Sequence, residues 1–191
     1  MTSSTADIHA AGRTAGTVLI TGASRGLGRA LADAYVASGW RVIACLRQVP
    51  ADLPATLSFR PLDVADAQSI KALARDLEGQ AIDIVNNNAA IRGDTGGLPS
   101  LETDDFLDVM RINALAPLLV ARALRPNLLA GQRRVLVNIS SRAGSLAEGT
   151  LDDDDGDYAY RCSKAALNMA TVKLAQDFRA DGISVISLHP G

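Results

Sequence analysis

The sequence predicts an α/β fold in which helices cover both faces of a doubly wound, parallel β-sheet. Short apolar runs alternate along the chain with longer stretches whose apolar residues recur at helical spacing. The apolar runs contain few alternating polar residues, which is typical of strands buried on both faces of a parallel sheet. The chain has 191 residues, 48% of them hydrophobic, which is enough to bury one sizeable core. We therefore expect a single domain over residues 17–191, preceded by a flexible tail over residues 1–16.

The predicted elements follow one another in the order that this fold requires. Each predicted strand is a short apolar run, and in chain order these runs are TVLI, RVIAC, LSFRPLD, IDIVN, RVLVNIS and ISVISL. Helices are expected at residues 25–38, 66–77, 103–129 and 158–180. They provide the crossover connections that parallel strands need. The helix at 103–129 is apolar on more than one face, so we expect it to be buried within the subunit or against a second one.

Charge and composition exclude several classes of partner. The formal net charge of −2 leaves no basic surplus to attract nucleic acid or an anionic membrane. No apolar run approaches the roughly 20 residues that span a bilayer, and the N-terminal stretch lacks the apolar segment of a signal peptide. Cys45 and Cys162 lack the spacing of a zinc site or a disulfide framework, which suits a reducing cytoplasm. We expect a cytoplasmic protein that acts on a small molecule.

A glycine-rich stretch, TGASRGLG, follows the first predicted strand and opens the first predicted helix. Gly22, Gly26 and Gly28 allow a tight turn and a close approach of the backbone to a phosphate. The free N–H groups of the following helix stabilise negative charge at that point. A plain turn is the alternative reading, but the position between a strand and a helix favours a nucleotide-binding loop.

The stretch YAYRCSK contains two tyrosines, and only one of them has a lysine four residues later on the same helix face. Tyr160 pairs with Lys164 in this way, whereas Tyr158 pairs with Cys162. A free phenol ionises near pH 10, so proton exchange near neutral pH requires a nearby cation. A solvated helix pair is the alternative, but a nucleotide loop in the same chain favours a catalytic pair.

Pro117 lies inside the helix at 103–129 and has no N–H to donate to the carbonyl of Asn113. We therefore expect a kink with a free carbonyl oxygen at Asn113, available to a water molecule. An ordinary proline kink capped by solvent is the alternative.

Four consecutive aspartates at residues 152–155 precede the tyrosine-bearing helix. They could form a metal site or a solvated loop, and the lack of an accompanying set of His or Glu ligands favours the loop. Asp154 and Asp155 of this run, and Asp157 after it, also suit the positive N-terminus of the helix. No metal site is predicted. His9 belongs to the N-terminal tail, and His189 is expected to have a local structural role.

Four motifs, in this order, resemble those of the short-chain dehydrogenase/reductase family: TGASRGLG, NNAA at 87–90, VNISS at 137–141 and YRCSK at 160–164. The likeness extends over residues 17–191 and implies a Rossmann-type fold. SSRAGS, YAYRCSKAALNMAT and the closing LHPG are similar to the sniffer/C-factor-like carbonyl reductases within that family. Ala90 departs from the glycine that the family carries there.

The resemblance implies a catalytic set of four residues. Tyr160 would be the general acid and base, and Lys164 would support it and contact the nicotinamide ribose. Ser140 and Ser141 both lie where a strand ends, and the family spacing in SRAG indicates Ser141 as the residue that holds the substrate oxygen. Asn113 would link a water molecule to the lysine.

The resemblance also implies NADP(H) as cofactor. The residues expected to bind it are Gly22, Ser24, Arg25, Gly26, Leu27, Gly28, Arg47, Asp63, Val64, Asn87, Ala89, Tyr160, Lys164, Pro190 and Gly191. Leu46 stands where an NAD site usually carries an acid, and Arg47 and Arg25 could bind a 2′-phosphate, unless they are ordinary surface residues. Asp63 could contact the adenine or cap the following helix.

The expected function is reduction of a ketone or aldehyde to an alcohol with NADPH. The alternative is a non-catalytic NADP(H)-binding sensor or partner-binding protein of the same fold. The resemblance implies a homodimer or homotetramer that pairs through the long helix and the tyrosine-bearing helix. Chains of the family continue beyond the position of Gly191 into a substrate lid and a last strand. We therefore expect this sequence either to be part of a longer protein or to be a poor reductase.

Overall fold

The computed structural model describes residues 15–48, 54, 56–148 and 156–191. The strands are β1 (Thr17–Thr21), β2 (Arg41–Leu46), β3 (Leu57–Pro61), β4 (Ile84–Asn87), β5 (Val135–Ile139) and β6 (Ser184–Leu188). The helices are α1 (Gly26–Ala37), α2 (Ala67–Asp76), α3 (Thr103–Met110), α4 (Ala116–Ala130) and α5 (Tyr158–Asp177). Each predicted strand is present, within a few residues of its expected bounds.

The strands form one parallel sheet in the order β3-β2-β1-β4-β5-β6. The chain starts in the middle, moves outward to β3, and then crosses to β4 on the other side of β1. This order confirms the doubly wound fold, and it places the point of reversal between β1 and β4. Ligands of such sheets bind at the carboxyl ends of the strands beside this point.

The two faces of the sheet bury separate hydrophobic clusters, because successive strand residues point to opposite sides. Val18 and Ile20 of β1 pack on the face that α1 covers. Leu19, between them, points to the other face, where it joins side chains from α2, α4 and α5. The expectation of helices on both faces is confirmed.

The long helix expected at 103–129 is not continuous. The structure divides it into α3 and α4 with a π-helical turn, Arg111–Leu115, between them. In this turn the N–H of Ala116 donates to the carbonyl of Arg111, five residues back. Pro117 explains the change, because it cannot donate to the carbonyl of Asn113 and the regular ladder is interrupted there. We refer to Arg111–Leu115 as the π-turn.

Some expectations fall outside the described residues, namely most of the N-terminal tail and the aspartate run at 152–155. Within the described part, no group of three or more His, Cys, Asp or Glu side chains is arranged to hold a metal ion. None of the helices described is both long enough and apolar enough to cross a membrane.

Candidate active site

The glycine-rich turn lies at the carboxyl end of β1 and has no room for side chains at two of its glycines. Gly22 has φ of +68°, and a Cβ there would lie 2.9 Å from the Cα of Ala89. A Cβ on Gly28 would collide with the carbonyl of Gly22 and the side-chain amide of Asn88. The turn is thus packed directly against the residues that follow β4, as a close backbone approach to a phosphate requires.

Thr21 and Asn88 hold this turn in place. The Asn88 Nδ2 donates to the carbonyls of Thr21 and Gly22 at 3.0 and 3.2 Å. The Thr21 Oγ1 accepts the backbone N–H groups of Asn88 and Ala89, both at 3.0 Å. The sequence did not predict a role for either side chain, although the NNAA motif at 87–90 includes Asn88. These four bonds join the end of β1 to the end of β4.

A cavity of about 320 Å³ opens beside this turn, and we call it the glycine cavity. The expected cofactor residues that line it are Gly22, Ser24, Arg25, Gly26, Leu27, Gly28, Arg47, Asp63, Val64 and Ala89. Leu46, Asn88, Ala90 and Ile91 also line it. Position 46 carries Leu46 and not an acidic residue. Arg47, at the end of β2, and Arg25, in the glycine-rich turn, line the cavity. The cavity therefore offers cations and apolar walls to a ligand that carries phosphate.

Asp63 lines the glycine cavity and does not cap α2. Its Oδ1 accepts the N–H of Ala65 at 3.0 Å, and its own N–H donates to Ser69. The cap of α2 is Asp66, whose carboxylate accepts the N–H of Gln68 at 2.8 Å. The capping role that the sequence left open for Asp63 thus belongs to Asp66, and the adenine contact of Asp63 stays a prediction.

Asn87 does not line the glycine cavity. Its side chain is buried and donates to the Asn138 Oδ1 at 2.9 Å and to the carbonyl of Pro117 at 3.4 Å. The Asn138 Nδ2 in turn donates to the Thr171 Oγ1 at 2.9 Å. This buried chain of hydrogen bonds joins β4, β5 and α5 beneath the site. Asn88 takes the lining position next to Ala89 instead.

A second cavity, of about 530 Å³, lies at the start of α5, and we call it the tyrosine cleft. Ser141 and Tyr160 both line it, together with His189 and Gly191. Pro190 lines neither this cleft nor the glycine cavity. The structure thus brings together two of the expected catalytic side chains.

Ser141 and Ser140 point in different directions. The Ser141 Oγ accepts the N–H of Ala143 at 3.1 Å, which leaves its hydroxyl proton available to donate into the cleft. Ser140 is buried, and its hydroxyl donates to the Asn168 Oδ1 at 2.7 Å. Only Ser141 of the pair can therefore meet a ligand in the tyrosine cleft.

Lys164 is buried behind Tyr160, with 2% of its surface exposed. Its Nζ donates to the carbonyl of Ile139 at 2.8 Å and lies 5.5 Å from the centre of the Tyr160 ring. Burial lowers the pKa of the Lys164 ammonium to about 8. The Tyr160–Lys164 pair is therefore not the solvated helix pair that the spacing alone allowed.

Asn113 lies in the π-turn and uses its side chain to join three segments. Its Oδ1 accepts the N–H of Ile91 at 2.9 Å, and its Nδ2 donates to the Ile91 carbonyl at 2.7 Å. The same Nδ2 also donates to the Ser163 Oγ at 3.0 Å. Ser163 in turn donates to the backbone carbonyl of Tyr160 at 2.7 Å. The sequence pointed to the carbonyl of Asn113, and neither this side-chain role nor Ser163 was foreseen.

Asp157 lies at the start of α5, as expected, but its carboxylate does not cap the helix. It pairs with Arg92, whose Nε and Nη2 donate to the two carboxylate oxygens at 3.0 and 2.6 Å. Both residues line the tyrosine cleft. The carboxylate thus lies at the helix N-terminus and forms a bidentate ion pair that joins α5 to the loop after β4.

Comparisons with known proteins agree with this geometry. A family model described as short chain dehydrogenase matches residues 16–191. The C-signal protein of Myxococcus xanthus is 40% identical over 122 residues, covering 64% of this chain and 72% of that protein. The NADPH-bound carbonyl reductase from chicken fatty liver has a TM-score of 0.82 at 34% identity, covering 92% of this chain and 79% of that one.

The carbonyl reductase Sniffer of D. melanogaster has a TM-score of 0.83 at 29% identity, and the match covers 92% of this chain and 80% of that one. The resemblance to sniffer-like carbonyl reductases is thereby confirmed at the level of family and fold. With a parallel sheet wound as theirs is, and a family match over nearly all of its described residues, this chain belongs to the short-chain dehydrogenase/reductase family.

Proposed function

We propose that this protein reduces a ketone or aldehyde to an alcohol with NADPH. The observation that carries the proposal is the arrangement of three side chains around one cleft. The hydroxyl of Ser141 and the phenol of Tyr160 line the cleft, and the ammonium of Lys164 is buried behind the phenol. A site that only bound a nucleotide would have no use for this arrangement.

The glycine cavity fits a dinucleotide with a 2′-phosphate. Gly22 and Gly28 allow the turn to pack closely against Gly22, Asn88 and Ala89, where a Cβ would collide, and the helix that follows presents its N-terminus to a pyrophosphate. Arg25 and Arg47 line the cavity, while Leu46 supplies no carboxylate to hold a ribose 2′-hydroxyl. These features favour NADPH over NADH. When bound, NADPH supplies the hydride of the reaction.

The protein side chains would position the carbonyl and provide the proton. Ser141 has a hydroxyl proton to donate to the carbonyl oxygen, and Tyr160 is the proton donor in reduction and the acceptor in the reverse direction. Lys164 has a pKa of about 8, so most of the population carries a positive charge at neutral pH. That charge stabilises negative charge on the phenol oxygen, and burial strengthens the interaction.

Asn113 would influence Tyr160 and Lys164 indirectly, through the residues that it bonds to. Its side chain fixes the loop at Ile91, which lines the glycine cavity, and Ser163, which bonds to the backbone of Tyr160. We therefore assign Asn113 as a positioning residue that couples the two cavities.

The competing proposal is an NADP(H)-binding sensor without turnover. The decisive experiment follows NADPH absorbance with a panel of aldehydes and ketones and quantifies the alcohol formed. Stoichiometric formation of alcohol is expected for the wild type and not for the S141A/Y160F double variant. Tight NADPH binding with no alcohol from any carbonyl would favour the sensor.

We further propose a cytoplasmic homodimer or homotetramer. Cys45 and Cys162 are free thiols, which suits a reducing compartment. Apolar side chains stand exposed on α5 and α3, among them Met169, Val172 and Leu107. Cell fractionation tests the compartment, and light scattering tests the oligomeric state.

A further inference from the structure

A groove between α2 and α4 carries apolar and basic side chains that the proposed reaction does not use. We propose that this groove binds an amphipathic helix of a partner protein, one that presents carboxylates beside a large apolar side chain. The proposal goes beyond the proposed function and does not depend on it. Among the described residues, none that lines this groove also lines the glycine cavity or the tyrosine cleft.

The groove has a volume of about 440 Å³, and we call it the α2–α4 groove. Its lining includes Ile70 and Ala74 of α2 and Leu119 and Ala123 of α4. Ile70 belongs to the hydrophobic core, and the other three are only partly buried against that core. The two alanines are small, so a large apolar side chain from outside can enter between the helices. The groove thus offers apolar surface that the described part of this chain does not cover.

Three cations line the same groove, Lys71 and Arg75 on α2 and Arg122 on α4. Within the described part of the chain, none of these three side chains has an ion-pair partner, and no carboxylate lines the groove. Asp76, next to Arg75, pairs with Arg60 instead. The whole chain has a formal net charge of −2, so this positive charge is a local property of the surface. It favours an acidic ligand.

The spacing of the cations matches that of side chains on a helix. Lys71 and Arg75 lie four residues apart, which places them on one face of α2 and about 6 Å apart along its axis. Carboxylates four residues apart on an incoming helix have the same spacing. Arg122 belongs to the other helix, so an apolar side chain that enters the groove would have cations on both sides.

A membrane surface fits the groove less well. Anionic lipid headgroups could reach the three cations, but a flat surface would leave the apolar lining between the two helices in contact with water. A bound helix covers that lining and pairs the cations at the same time. Burial of apolar side chains in a groove, with polar contacts around them, is the usual mode of helix recognition. The observations therefore favour an acidic, amphipathic helix.

The test uses an alanine-based helical peptide with a leucine stripe that is flanked by glutamates one turn apart. Its binding to the full chain is measured by fluorescence anisotropy at low salt, where charge pairs are least screened. A second peptide carries glutamine in place of each glutamate. The affinity of the wild type for the glutamate peptide should be about tenfold higher, as expected from three partly exposed charge pairs together.

Two variants that lose the same amount of charge separate the groove from general attraction. K71Q/R75Q should reduce the preference for the glutamate peptide by about threefold or more, and both changes are at exposed positions that should not disturb folding. K173Q/R179Q removes two exposed cations that do not line the groove and should keep the preference. A74L/A123L fills the groove without a change of charge and should weaken the binding of both peptides.

Equal affinity for the two peptides overturns the proposal, and so does a preference that K71Q/R75Q leaves unchanged. Absence of binding with millimolar peptide also overturns it. Sedimentation with phosphatidylserine vesicles tests the lipid surface. Vesicle binding that is lost in K71Q/R75Q, without peptide binding, would assign the groove to a membrane and overturn the helix.

Reduction of aldehydes with NADPH is followed in the same variants. K71Q/R75Q should leave kcat and KM unchanged, because neither residue lines the glycine cavity or the tyrosine cleft. Peptide binding without any reduction would contradict the proposed function alone. Reduction without a preference for the glutamate peptide would contradict the α2–α4 groove alone.

Discussion

The ammonium of Lys164 lies 5.5 Å from the centre of the Tyr160 ring, and it is held there by the carbonyl of Ile139 at 2.8 Å. The carbonyl at the end of β5 therefore orients a cation on α5 toward the back of a phenol. This links the sheet to the chemistry, because a shift of β5 would move the ammonium as well. The side chain that would otherwise be a solvated lysine is a buried part of the site.

Removal of the Tyr160 hydroxyl should abolish turnover and leave cofactor binding largely intact. We expect Y160F to lose at least about 100-fold in kcat, the usual scale of general acid–base catalysis. NADPH fluorescence should report nearly wild-type affinity, because the ring remains. Y158F is a matched control, since Tyr158 is exposed and does not line the tyrosine cleft. Equal activity of Y160F and Y158F would contradict the mechanism.

Substitution of the two adjacent serines, Ser140 and Ser141, should affect different properties of the protein. S141A should lose about 10- to 1,000-fold in kcat, because the oxygen of the substrate loses a donor. S140A should keep most of its kcat. Its free energy of unfolding, measured with urea, should fall by about 1 kcal/mol, because a buried hydrogen bond to Asn168 is removed. A larger loss of kcat in S140A than in S141A would reverse our assignment.

Arg47 should set the preference for NADPH. R47A is expected to raise KM for NADPH by about 10- to 100-fold, the effect of one charge-assisted contact, and to leave KM for NADH unchanged. Arg41, at the opposite end of β2, provides the control variant R41A. An unchanged cofactor ratio in R47A would remove the argument for a 2′-phosphate site at this arginine.

Lys164 should make stability depend on pH in a predictable direction. Its pKa is about 8 in the folded protein and 10.5 in the unfolded chain, so the unfolded state binds more protons between these values. Stability of the wild type relative to K164M should therefore rise with pH across that window. The full gain is about 3.5 kcal/mol, at about 1.4 kcal/mol per pKa unit over a difference of about 2.5 units.

Urea unfolding at several pH values from 7 to above 10 measures this difference. K173M removes an exposed lysine from the same helix and should follow the wild type throughout. A flat difference between wild type and K164M would mean that the ammonium is not buried as described.

The exposed apolar face of α5 should mediate self-association. Met169 and Val172 are 62% and 51% exposed and lie three residues apart on one side of the helix. Light scattering at micromolar concentration should detect a dimer or tetramer of the wild type and a smaller species for M169E/V172E. A72E, on the exposed side of α2, should leave the mass unchanged. A wild-type monomer at that concentration would rule the interface out.

The strands were predictable because each is a continuous apolar run, and Val18 to Ile20 show how directly such a run becomes a buried strand. The position of the Tyr160–Lys164 pair was predictable too, because helical spacing is a local property. The bonds from Asn88 to the glycine turn were not, since they join side chains and carbonyls that are distant in sequence. The ion pair of Asp157 with Arg92 is of the same kind, whereas the position of Asp157 at the helix N-terminus followed from the local sequence.

The π-turn places one additional residue between α3 and α4 and keeps their rotational phase. An α-helix advances about 100° per residue, and the wider turn at Arg111–Leu115 takes up one additional residue without that rotation. Deletion of a single residue there would therefore leave one regular helix whose apolar stripe still faces the sheet. The side chain at position 113 would then no longer point to the Ile91 backbone. The number of residues between Met110 and Pro117 is therefore constrained by this contact and not by the packing of α4.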